Sequence, residues 1–80
     1  MAEIRRIGAA TQLLGDTEYL LLARDWRRDV WELSAHLKHR RAPFVPQTFQ
    51  DLDDAKRQAQ IIATRLGVQV INVVDRRAHV

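Results

Sequence analysis

The sequence predicts an α+β domain: one antiparallel sheet with a single helix across one face, in the order β-β-β-α-β. Three observations carry this. Apolar residues step by three and four through residues 51–66, the period of a helix. They alternate by twos through residues 31–37, the period of a strand with one buried face. The chain has 80 residues and no internal repeat, so residues 1–80 make one domain.

Taken in order, the first strand is placed at residues 7–14. Gly15 supplies the first central residue of a type II′ turn into "TEYLLLARDW", the second strand. A helical stripe through Ile4, Ile7, Thr11 and Leu14 is the rival reading, weakened by Gly8 and Thr11. "DWRRD" turns the chain into the third strand, where Trp31, Leu33, Ala35 and Leu37 share one face and Glu32, Ser34, His36 and Lys38 the other. Pro43 and Pro46 make the next connector stiff and extended, so that Phe44, Val45 and Phe49 fold back under the helix as core.

The helix is bounded by its own chemistry. Asp51 accepts free amide protons of the first turn, Asp53 and Asp54 face the positive end of the dipole, Arg65 the negative end, and Gly67 stops it. Its stripe is Leu52, Ala55, Ala59, Ile62, Ala63 and Leu66. Trp31, Leu33, Leu37, Phe49, Ala59, Ile62 and Leu66 form the expected core. "VQVINVVD", residues 68–75, closes the chain as a strand apolar on both sides, the mark of an interior position. One helix covers one sheet face only. The other carries alternate residues of "YLLLA" and "VINVV", so a second copy of the chain is expected to cover it as a homodimer, with segment 1–14 as the other candidate.

Trp31, Phe49, Ala55, Ala59, Gly67 and Asp75 also carry a likeness. The run "TFQDLDDAKRQAQIIATRLGVQVINVVDRRAHV" resembles the ending of a family of short bacterial and phage domains of unknown function. There a β-hairpin with a tryptophan near its turn leads to an aromatic residue, an acidic-capped alanine-rich helix and a closing strand. The likeness covers about the last two-thirds of the chain. The chain departs from that pattern in "RRAH", where a glycine turn is expected, and in its longer connector "KHRRAPFVPQ". The resemblance implies the fold and no activity.

Composition bounds function mostly by exclusion. With no cysteine, disulfides and thiolate metal sites are out. No apolar run reaches the roughly 18 residues of a membrane span, and "MAEIRRIGAATQLLG" lacks the layout of a signal peptide, so a cytoplasmic protein is expected. Glu32, Ser34 and His36 are alternate residues of one strand and point in parallel, so they cannot converge as a triad. His36, His39 and His79 lack metal-ligand spacing, and no phosphate-cradling glycine motif is present. Asp51, Asp53 and Asp54 serve the helix terminus. No enzyme, no cofactor and no metal is the reading.

What remains is charge. The net charge is +3, and residues 24–41 hold all of it, with six cations against three anions. Arg27, Arg28, His36, Lys38, Arg40 and Arg41 are the candidate partner-binding residues, with Trp26 near them. The expected function is a non-enzymatic binding module acting through a protein partner. In size and architecture alone it is similar in kind to small phage inhibitors of host defence, anti-CRISPR proteins among them. The alternatives are nucleic-acid binding through the basic region 24–41 and a structural homodimerising role.

Overall fold

The computed structural model describes residues 1–8, 18–25, 27–38 and 44–78. Among the described residues, five strands and one helix follow one another: β1 Glu3–Arg6, β2 Tyr19–Arg24, β3 Trp31–His36, β4 Gln47–Phe49, α1 Leu52–Leu66 and β5 Val70–Asp75, with a 3₁₀ turn at Arg76–Ala78. The α+β class and the single helix agree with the sequence.

The helix starts and stops where its chemistry requires. Asp51 is extended (φ −109°, ψ 130°), and its side chain accepts the Asp54 amide proton at 3.3 Å. Gly67 takes the left-handed conformation at φ 70°, from which its N–H turns back to the carbonyls of Ala63 and Thr64. Ala55, Ala59 and Ala63 are fully buried, at four-residue spacing along the side that meets the sheet. Single methyls there let the helix lie close, so the larger Leu52, Ile62 and Leu66 flank the contact and are only partly buried. The expected core is therefore deepest at Trp31, Leu33 and Ala59, with Leu37, Phe49, Ile62 and Leu66 as its rim.

The sheet is mixed rather than antiparallel, in the order β1-β5-β2-β3-β4. α1 carries the chain back along the sheet, so β5 enters parallel to β2 (Leu20 opposite Ile71, Leu22 opposite Val73) and parallel to β1 (Ile4 opposite Ile71). Only β2–β3 and β3–β4 are antiparallel. A strand apolar on both sides takes the interior place its composition asks for. Both edges of β2 are then occupied, by β3 and β5. The first strand is instead Glu3–Arg6, which overturns the helical rival at Ile4; most of the expected strand, and Gly15, lie outside the described residues. The connector contributes a fifth strand, where Phe49 pairs with Trp31. Phe44 packs against the core as expected, but Val45 points outward and is 74% exposed.

The face under α1 carries Leu20, Leu22, Trp31, Leu33, Ile71 and Val73, all buried. The opposite face is not bare either. At its centre Val74 is 2% and Asn72 5% exposed, with Tyr19, Leu21, Ala23, Val70 and Ser34 half-buried around them. One chain thus shields the centre of both faces.

Candidate functional site

The length of β3 holds the two ends of the basic region apart. Arg27 and Arg28 lie in the β2–β3 turn, and His36 and Lys38 lie at the far end of the strand. Six strand residues separate them by about 17 Å at the usual rise per residue. Arg40, Arg41 and Trp26 lie outside the described residues.

At the far end, His36 is exposed and its ring stacks on Tyr19, 4.9 Å between centroids and 17° between planes. Tyr19 and His36 are opposite one another in the antiparallel register, so the stack follows from the pairing. The Lys38 amide donates to the Glu18 carboxylate at 2.9 Å, which ties the exit of β3 to the entry of β2. Glu32, Ser34 and His36 stand along one face without converging.

The turn end is built differently. Asp25 folds the turn by accepting the backbone N–H of Arg27 at 2.9 Å and of Arg28 at 3.3 Å. Arg24, the last residue of β2, turns toward α1's side of the sheet. It grips the Asp75 carboxylate with two donors, Nε to Oδ1 at 3.3 Å and Nη2 to Oδ2 at 2.6 Å. The guanidinium carbon also lies 4.8 Å from the centre of the Trp31 ring. The hydrogen bond to Asp75 raises the Arg24 pKa above its ordinary value, against a smaller lowering by desolvation.

Asp29 sits between two arginines. It pairs with Arg77 and lies 3.9 Å from Arg24 Nη1. The Arg77 amide donates back to Asp75 at 3.1 Å, and Arg28 lies 3.8 Å from Glu32. A pocket of about 80 Å³ opens among Ala23, Asp25, Arg28, Val30, Glu32 and Arg76. That is room for two or three water molecules at about 30 Å³ each, well short of the roughly 300 Å³ at which small-molecule sites begin.

No family model, curated protein or solved structure matches the chain.

The structure thus sorts the predicted residues into two places. Arg27 and Arg28 belong to a charged end that also contains Arg24, Arg76, Arg77, Asp29 and Asp75, none of which the sequence singles out as site residues. The signal for them is faint but present: strands β2 and β5 each end in a charged cluster, "RD" and "DRR". Parallel pairing places Arg24 directly opposite Asp75. His36 and Lys38 form a separate, smaller cluster. Among the described residues, no group of three or more histidines and carboxylates is arranged to hold a metal ion, and no helix is long and apolar enough to cross a membrane.

Proposed function

We propose that this chain is a non-enzymatic binding module that acts through a protein partner, with the charged end of the sheet as its contact surface. One observation carries the reading: the arginines of that end are interleaved with carboxylates. Arg24, Arg27, Arg28, Arg76 and Arg77 share the region with Asp25, Asp29, Glu32 and Asp75. A phosphate backbone meeting this surface would face four negative groups as well as five positive ones. A protein surface of mixed sign can match each in turn, and such matching fixes partner and orientation. Arginine is also a residue type enriched where proteins meet. The small, cofactor-free architecture is similar in kind to phage inhibitors of host defence, which makes a bacterial defence protein the partner class to test first.

The competing reading is nucleic-acid binding through Arg27, Arg28, His36, Lys38, Arg40 and Arg41. Two measurements separate them. The first is co-purification from cells with the wild type and with Arg27→Glu/Arg28→Glu; a partner held by the wild type and lost by the variant is expected. The second is titration with duplex DNA and with RNA at two salt concentrations. No affinity at either is expected, and tight binding that falls steeply with salt would transfer the function to the competing reading.

A further inference from the structure

β1 is held almost entirely by its backbone. All four of its side chains are exposed, Ile4 by 40%, and Glu3 and Arg5 pair with each other on its outer surface. What fixes it is a parallel ladder on β5, from Glu3 opposite Val70 to Arg6 opposite Val73, continued by the Ile7 N–H to the Val73 carbonyl at 2.9 Å. Just before the strand, Ala2 is nearly buried, and the Gln60 side chain of α1 clamps its peptide groups from both sides. Oε1 accepts the Ala2 N–H at 2.9 Å and Nε2 donates to the Ala2 carbonyl at 2.8 Å. Beside this clamp an open cleft of about 560 Å³ remains between Met1, Glu3, Thr64 and Gln69, so side-chain packing adds little.

The slot beneath is in the opposite condition. β5 is buried through its middle, with Ile71 at 0% and Val73 at 2% exposure. Its backbone edge and the Gln60 amide both need partners, since unpaired polar groups beside a dry core are costly. The slot demands a strand, and of the segment's own side chains only Ala2 and part of Ile4 give up apolar burial by leaving. A segment recognised through main-chain bonds and one small side chain fits equally well when it comes from another molecule of identical sequence.

We propose that this slot is an exchange site, in which residues 2–6 of one copy seat on β5 and Gln60 of a second copy and the reverse, giving a two-fold strand-swapped dimer. Each bond that holds β1 within the chain is remade between chains, so the balance is set by concentration alone. A short tether holds its segment at an effective concentration of roughly millimolar, so exchange competes only near that protein concentration.

The test mixes two populations of the full chain. One is isotope-labelled; the other carries Glu3→Cys with a nitroxide, unambiguous because the chain has no other cysteine. They are unfolded and refolded together at roughly 1 mM. Exchange predicts loss of the Val70, Ile71 and Asn72 amide signals in the labelled chain, which itself bears no nitroxide. The loss should vanish when the mixture is refolded at a concentration about a hundredfold lower. Unchanged signals at these amides, or losses centred elsewhere on the molecule, overturn the proposal.

Discussion

Arg24 collects partners from three separate parts of the chain: Asp75 at the end of β5, Asp29 in the turn and the Trp31 ring on the neighbouring strand. Its ion pair with Asp75 is sheltered on both sides, with 28% and 14% of the side chains exposed, whereas the Arg5–Glu3 pair stands 55% and 61% in solvent. Sheltered bidentate pairs resist screening and exposed ones contribute little. Arg24→Met is therefore expected to lower the denaturation midpoint clearly and Arg5→Met hardly at all; equal effects would mean that the Asp75 grip adds nothing. The sign of the pH dependence is also fixed. A raised arginine pKa stabilises the fold at every pH below the ordinary arginine value and is lost only as the pH rises past it. The Arg24→Met deficit should thus be no larger at about pH 6 than at about pH 9 on account of the arginine itself. The sequence discloses Asp51 and Gly67 as caps because capping is decided within a few residues. It does not disclose the Arg24–Asp75 pair, which spans 51 residues and exists only because β2 and β5 run parallel in one register.

At the scale of elements, α1 meets the sheet through methyl groups, and its larger side chains work at the margins. This orders the cost of substitutions. Leu22, fully buried between β5 and β3 under the helix, should lose about 2–5 kcal/mol as Leu22→Ala. Ile62→Ala, at the rim, should lose less than that range implies. Ala59→Leu should cost about 1–3 kcal/mol, because the added atoms must push the helix off the sheet. Urea denaturation of the three variants checks the order, and an Ile62→Ala loss as large as that of Leu22→Ala would mean that the helix sits rotated toward Ile62. The helix and the β2–β3 hairpin are legible in the sequence because each is specified by its own period and its own end residues. The first strand is not. "EIRR" is short, charged and without alternation, and its strand conformation is imposed by the β5 edge rather than by its own residues. β4 is hidden for a similar reason: three residues after a proline carry no period, and pairing with β3 makes them a strand.

For the molecule as a whole, the sequence argues for a homodimer from a sheet face left bare, whereas Val74 and Asn72 at the centre of that face are buried within one chain. Sedimentation at micromolar concentration is therefore expected to show one species near 9.3 kDa. A dimer there would require an interface other than the centre of that face. The strand order has a further consequence for how the chain comes into being. β5 lies second in the sheet but is the last strand in the sequence, so Glu3 waits for a partner that is made sixty-seven residues later. Until Val70 to Asp75 emerge, β2 has one open side and the helix has only part of a surface to close on. Pairing of β1 therefore waits for β5, which lies between it and β2. Chains dominated by such distant pairings fold slowly for their size and leave adhesive edges uncovered meanwhile. For this chain the vulnerable interval lasts until Val70 to Asp75 are made, and an interruption before residue 70 would release β2, β3, β4 and α1 without the strand that lies between β2 and β1.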